Sequence, residues 1–228
     1  MPGAVDVRVL DLFCGGGGAS AGYKAGGLSV HGVDIKDQRP GYHHGFTCAD
    51  AIEFLFSTAL DDFDLIHASP PCQAYSKHVS STHSQWTPTK GKGEPKLIHV
   101  LREILNEIGK PYVIENVMGA RDEMMPNLHL CGSMFGLPIQ RHRLFEIRGF
   151  DVMQPVHPVC NGIAKRFAEQ KGWEYRDMSV TGKGRRAGTA ERWKEIMGVC
   201  WDVTQSQLAE MIPPAYTKYI GRAIMAAK

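Results

Sequence analysis

The sequence predicts an α/β protein built on a mostly parallel β-sheet with helices on its faces. Three observations carry this expectation. Apolar runs of strand length alternate with helix-like or glycine-rich segments through the first ~70 residues, the order expected of parallel strands joined by crossovers. Four consecutive glycines, 15–18, stand where the first strand hands over to the first helix. After a long polar stretch the alternation resumes with one more helix and further strands.

Taken in order, VRVLDLF (7–13) reads as a buried strand, GASAGYKAGG (18–27) as a turn and helix ending in glycines, and LSVHGVDI (28–35) as a second strand. DAIEFLFSTAL (50–60) reads as a helix that starts at an Asp cap, Asp50, beyond a third strand end. FDLIHASPP (63–71) is a strand running into a loop. The stretch 75–96 is polar and too long for an ordinary connection, which marks it as a functional loop. LIHVLREILNEIG (97–109) is a helix, and PYVIENV (111–117) and the region of RHRLFEIRGF (141–150) are strands. Beyond Phe150 the alternation stops. Residues 151–188 combine turn and basic residues with Phe167, Trp173 and Tyr175 and read as a small irregular module. Helix returns at TAERWKEIMGV (189–199) and again from 204, where Pro213 and Pro214 must break or begin a helix. The expected organisation is a main unit, 1–150, a reduced segment, 151–188, and C-terminal helices, 189–228, that return to the main unit.

At 228 residues the chain can bury a full core. Its net charge is only +2, so a nucleic-acid partner has to be held by a local basic surface rather than by the field of the whole protein. The first residues lack the basic flank and apolar run of a secretory signal, and no segment offers the ~20 apolar residues of a membrane span. A cytoplasmic protein without a membrane partner is expected. The six cysteines, Cys14, Cys48, Cys72, Cys131, Cys160 and Cys200, include no CxxC pair. That argues against a structural zinc site and a disulfide framework, so reduced thiols and no metal are expected.

The glycine run lets the backbone turn sharply and approach a ligand, while the helix that follows offers unpaired N–H groups. Asp34, at the end of the second strand, can accept ribose hydroxyls, and Asp50 can accept from an adenine amino group. A solvated turn acid and a helix cap are the plainer readings of the same two residues. The phosphate motif GxxxxGK[ST] is absent, and GxGxxG spacing is only loosely met by Gly15 and Gly17. A nucleoside cofactor without a demanding pyrophosphate, such as S-adenosyl-L-methionine, therefore fits better than ATP or NAD. SPPCQAYS (69–76) sets Cys72 behind two prolines, on a backbone with few alternative positions. The choice is between a stiff turn with an incidental buried thiol and a sulfur that is aimed.

The order DLFCGGGG, Asp34, Asp50, PPCQ, ENV, a paired-arginine strand and a terminal IPP helix resembles the cytosine-C5 DNA methyltransferase family, and the resemblance runs from Asp11 to about 221. It implies a Rossmann-like class I methyltransferase fold with S-adenosyl-L-methionine as cofactor and S-adenosyl-L-homocysteine as product. It also implies methylation of C5 of cytosine in double-stranded DNA, by base flipping and a covalent bond from Cys72 to C6. Carried over by motif, Cys72 matches the nucleophile, Glu115 the acid on the target base, and Arg141 and Arg143 the arginines lining the target pocket. Asp11, Phe13, Gly15 and Gly17 match the cofactor loop, with the phenylalanine against the adenine. Asp34 and Ile35 match the ribose side, Asp50 and Ala51 the adenine side, and Pro71 and Leu97 border the same pocket. The polar loop then reads as a lid whose Ser76, Lys77 and Lys90 meet phosphates, against the plainer reading of a surface loop. Lys183, Arg185 and Arg186 in GKGRRAG (182–188) are candidates for reading a groove or clamping phosphates, against a solvated basic turn.

Two positions depart from the family. Ile139 stands where a glutamine is usual, with Gln140 one step later, and Glu210 stands where an asparagine usually precedes the terminal proline pair. The recognition segment is also short, so a short target is expected. The competing readings are a cytosine-C5 methyltransferase of transfer RNA and an inactive DNA-binding relative. The resemblance points to a stand-alone bacterial or phage enzyme, monomeric, with or without a restriction endonuclease partner.

Overall fold

The computed structural model describes residues 6–39, 41–75, 95–180 and 188–228. Its seven strands are β1 (Arg8–Leu12), β2 (Ser29–Asp34), β3 (Gly45–Cys48), β4 (Leu65–Ala68), β5 (Tyr112–Val117), β6 (Leu128–Leu130) and β7 (Arg143–Arg148). They form one sheet in the order β3-β2-β1-β4-β5-β7-β6. The first five run parallel, β7 lies antiparallel to β5, and β6 lies antiparallel to β7. The expected mostly parallel sheet is present. β6 is an addition, because three residues are too few to show a strand period in the sequence.

Adjacent residues on the central strands face opposite layers, which is why these strands read as continuous apolar runs. Leu10, Ile66, Ile114 and Leu144 pack with helices α2 (Ala51–Ser57) and α3 (Ile98–Ile108). Val9, Leu65, Val113 and Phe145 pack on the other face with α1 (Gly18–Ala25) and α7 (Pro214–Ala226). The α1–α7 contact needs glycine. A Cβ at Gly22 would lie 2.1 Å from the Pro214 carbonyl oxygen and one at Gly18 2.3 Å from that of Ile212. Part of the glycine-rich signal that suggested a ligand loop thus serves helix packing. The close approach lets Thr217 Oγ1 donate to the Ala19 carbonyl at 2.8 Å.

The segment after Phe150 is less irregular than its composition suggests. It contains a helix, α4 (Ile163–Lys171), which buries Ala164 and Ala168 and exposes Lys165 and Arg166. Helices α5 (Ala190–Met197) and α6 (Gln205–Glu210) pack with α4 in a third core around Trp193, Ile196 and Leu208. Of the C-terminal helices, α7 lies on the sheet, whereas α5 and α6 build this smaller core. Ile139 is 5 % exposed in the same core, which gives an apolar residue there a physical reason. Glu210, the last residue of α6, is exposed. Among the described residues no helix is long and apolar enough to cross a membrane.

Candidate active site

The strand order reverses between β1 and β4, and the crevice at the carboxyl ends of such strands is where open α/β sheets bind ligands. The glycine loop leaves β1 on one side of that point and the Pro-Pro-Cys turn leaves β4 on the other. Asp34 ends β2, Asp50 follows β3, Glu115 lies near the end of β5, and Arg143 opens the antiparallel β7. Residues far apart in sequence therefore share one edge of the sheet.

On the β1 side, Phe13 has φ 59°, the only positive φ of a non-glycine residue among those described. Such left-handed backbone is costly for a bulky residue and gathers at ligand sites. Gly15, φ 49°, has nothing closer than 4.0 Å to a Cβ placed on it, so this part of the loop faces open space. Asp34 accepts the Gly15 N–H on Oδ2 at 3.0 Å and the Lys36 N–H on Oδ1 at 2.9 Å. It pins the loop, and a carboxylate with about four acceptor sites keeps capacity for hydroxyl donors. Asp50 caps α2, its Oδ1 accepting from the Ile52 and Glu53 N–H groups, while neither bond uses Oδ2. The helix-cap reading is correct for one oxygen and leaves the other available. Ile35, 68 % exposed, adds an apolar wall beside Asp34, and Leu97 and Pro71 are half-buried.

Two residues of the expected cofactor set lie deeper. Ala51 is 3 % exposed, with its methyl in the core. Asp11 is fully buried below the loop. It accepts a hydrogen bond from Ser20, which is also bonded to Tyr42 Oη, while its Oδ1 has no partner. Burial pushes the Asp11 pKa up to about 7. Ser20 and Tyr42 were not singled out from the sequence, since neither lies in a motif. A glycine loop open on one side, a ribose-type acid and an apolar wall fit a nucleoside cofactor. A deep carboxylate with a free oxygen suits one that also carries positive charge.

On the β4 side, the turn that carries Cys72 is held from β5. Asn116, 1 % exposed, donates through Nδ2 to the Pro70 carbonyl at 2.9 Å and accepts the Val117 N–H on Oδ1 at 2.9 Å. The sequence shows Asn116 inside ENV, but its partner, 46 residues earlier, becomes visible only in three dimensions. Cys72 is half-buried, and Arg141 lies within its electrostatic reach. Glu115 is 6 % exposed, and burial raises its pKa above the ordinary carboxyl range against the opposing charge of Arg143 and a hydrogen bond from Ser69. Arg143 Nε lies 3.1 Å from Glu115 Oε1, near enough for an ion pair but not aligned as a hydrogen bond, so that oxygen stays available. Behind Ser69 runs a buried polar chain. Ser69 Oγ meets His67 Nε2 at 3.0 Å, and His67 Nδ1 meets Tyr23 Oη at 3.0 Å.

The two arginines differ. Arg143 faces Glu115, with NH1 donating to the His142 carbonyl. Arg141 is buried, and Nε, NH1 and NH2 donate to the carbonyls of Met211, Val180 and Ala209 at 3.0, 2.8 and 2.6 Å. Burial pulls its pKa down to about 9, so it remains a cation at neutral pH. Its donors tie the end of α6 and the backbone at Val180 to the pocket rather than pointing into it. Ser76, Lys77, Lys90, Lys183, Arg185 and Arg186 lie outside the described residues.

Helices on both faces of this sheet, with a glycine loop after β1 and an acid after β2, define a class I methyltransferase fold. Residues 7–129, more than half of the chain, match the model of the C-5 cytosine-specific DNA methylase family, and the chain belongs to that family. Solved structures agree on the fold. A prophage-encoded E. coli protein described as a DNA modification methyltransferase superposes with a TM-score of 0.59 at 16 % identity, over 97 % of this chain and 99 % of that one. The Entamoeba histolytica methyltransferase EhMeth gives 0.57 at 13 % identity, over 97 % and 98 %. A DNMT2 variant from Spodoptera frugiperda gives 0.56 at 13 % identity, over 94 % and 98 %. No curated protein matches the sequence. The protein is thus a methyltransferase of the S-adenosyl-L-methionine-dependent class.

Proposed function

We propose that this protein methylates C5 of cytosine in double-stranded DNA, with Cys72 as nucleophile and the target base flipped out of the duplex. The observation that carries the reading is the bracing of the Pro70-Pro71-Cys72 turn by Asn116, next in strand β5 to Glu115, which is buried and paired with Arg143. The family adds the base and the position on it. When bound, S-adenosyl-L-methionine supplies an electrophilic methyl group. Phe13, Gly15, Asp34, Ile35 and Asp50 would hold it, with Asp11 beneath.

Cytosine C5 is a poor nucleophile. Addition of the Cys72 thiolate to C6 makes the ring enamine-like and places negative charge toward N3. Glu115, kept protonated more readily by burial, supplies a proton or hydrogen bond at N3 and accepts from the exocyclic amine. Arg143 holds the base carbonyl side, where a fixed donor in a site closed to water is most effective. Arg141 positions the pocket wall through its three carbonyl partners. Once C5 has taken the methyl group, loss of the C5 proton to solvent and departure of the Cys72 sulfur as thiolate release 5-methylcytosine. Segment 151–188 is the proposed target-recognition unit, with Lys165 and Arg166 exposed on α4 to meet phosphates.

The test is methyl incorporation into duplex DNA and transfer RNA, alongside covalent trapping on duplex containing 5-fluorocytosine. Incorporation into DNA and an adduct mapped to Cys72 are expected. Incorporation into transfer RNA alone would replace the substrate. DNA binding without adduct or incorporation would make the chain an inactive relative.

A further inference from the structure

We propose that Cys131, His142, His157 and Cys160 bind a zinc ion that fastens the recognition segment to the catalytic sheet. One ligand atom from each of the four lies within 4.8 Å of every other. Two thiolates and two imidazoles around Zn²⁺ at tetrahedral angles stand roughly 3.4–3.8 Å apart, from Zn–N of about 2.0–2.1 Å and Zn–S of about 2.3 Å. Cys160 Sγ already lies 3.8 Å from a His142 ring nitrogen, Nε2, so only a small contraction completes the shell.

The four ligands come from separate pieces of chain. Cys131 follows β6, His142 precedes β7, and His157 and Cys160 belong to the stretch that leaves β7 for α4. A search for CxxC pairs overlooks them, because the close pair in this sequence is His157-Pro-Val-Cys160 and the other two ligands are remote. The surroundings support metal-bound thiolate. Ser133 Oγ donates to Cys131 Sγ at 3.2 Å, the kind of outer hydrogen bond that orients a ligand. Gln140 donates to the Cys160 carbonyl and fixes that backbone.

The segment also has the need. Residues 151–160 form no helix or strand, and Met153, Val156 and Val159 are 82, 89 and 84 % exposed, so apolar burial hardly holds this stretch. Gln154 docks its start on β6 through two bonds with the His129 backbone, at 2.9 and 2.8 Å. Past that point, His157 and Cys160 are its inward attachment. A short segment with little core is where a metal replaces hydrophobic packing. Two thiolates and two imidazoles in a tetrahedral arrangement favour zinc over the oxygen-seeking cations, and in a two-iron cluster with the same ligand set the cysteines and histidines sit on different irons, farther apart than four atoms gathered within 4.8 Å. Binding releases the two thiol protons and leaves the ion and its ligands with no net charge. His142, between Arg141 and Arg143, connects the ion to the pocket.

The inference does not rest on the methyl-transfer reading and is tested without activity. The full-length chain, purified without chelator, is expected to hold about one zinc by elemental analysis, as a closed four-ligand site does. His157→Ala, an exposed position that leaves the core intact, and Cys160→Ser are each expected to lower the zinc content to below about a tenth of that. Titrating metal-free, reduced protein with Co²⁺ is expected to give thiolate-to-cobalt charge transfer and intense tetrahedral bands. Zinc-free wild-type protein that gives no such bands overturns the proposal. So does zinc retained in full by both variants, and so does a Cys131–Cys160 disulfide in place of zinc in the protein as purified.

Discussion

Replacing Asn116 by leucine keeps the branching and number of side-chain heavy atoms and removes both of its hydrogen bonds. The Pro70 carbonyl and the Val117 N–H each lose a partner at 2.9 Å inside the protein. An orphaned buried polar group costs about 1–3 kcal/mol. Asn116 is 1 % exposed while Val117 is half-buried, so water can recover part of the second loss. The expected destabilisation is about 2–4 kcal/mol, within the roughly 5–15 kcal/mol that domains of this kind possess, so the variant stays folded. The kinetic effect should exceed the structural one, because the freed turn carries Cys72. A displacement of about 1 Å in a reacting group costs on the order of a hundredfold in rate. Urea unfolding measures the first quantity, and single-turnover methyl transfer with the cofactor KM measures the second. A loss in kcat with little change in cofactor KM is expected. Loss of stability in the stated range with kcat within about twofold of wild type would show that Asn116 is glue for the turn and nothing more.

Four further outcomes follow from the same geometry. Cys72→Ser should keep cofactor and DNA binding and abolish methylation, and a variant with wild-type turnover in the methylation assay would overturn the nucleophile assignment. Arg102 makes two bonds to Glu146, at 2.6 and 2.8 Å, and Glu146 is fully buried on β7. Arg102→Met alone should therefore cost about 3–5 kcal/mol in urea unfolding, and adding Glu146→Leu should restore most of it. His67 is buried and neutral, with its pKa held down at about 3 by burial, so its contribution to stability is present above pH 6.5 and is lost as pH falls toward 3. The slope approaches about 1.4 kcal/mol per pH unit from this group, and half-buried His31 and His44 act in the same direction; His67→Gln should flatten the acid limb of a stability profile, and an unchanged limb would refute the assignment. Sequencing of 5-methylcytosine after expression in a methylation-free host should reveal a site of about two to four base pairs, in keeping with so short a recognition segment, and a consistent six-base site would contradict it.

Most elements of the sheet were legible because their signals are local. Apolar runs mark β1, β2, β4 and β5, an Asp cap marks α2, and Pro213 with Pro214 separates α6 from α7. What escaped were features whose cause lies elsewhere in the chain. β6 has three residues and exists because β7 pairs with it. Helix α4 was hidden by a composition rich in charge, and it buries only Ala164 and Ala168, with Phe167 half-buried against the small core. Gly18 looked like part of a ligand loop but makes room for the Ile212 backbone, as Gly22 does for the start of α7. The support of the site by Asn116, Ser69 and His67 was equally invisible, since a polar residue in a strand gives no hint of its partner.

By itself, the sequence determined the class of fold, the glycine turn after the first strand, and a cysteine held stiffly behind two prolines. These depend on φ restrictions and on periodicities that span a few residues. The tertiary structure decided which side chains meet. It brought Glu115 to Arg143, turned Arg141 toward three carbonyls, and gathered Cys131, His142, His157 and Cys160 from across a span that no spacing rule connects. Such meetings are set by strand order and by the path of crossovers, which are properties of the whole packed chain.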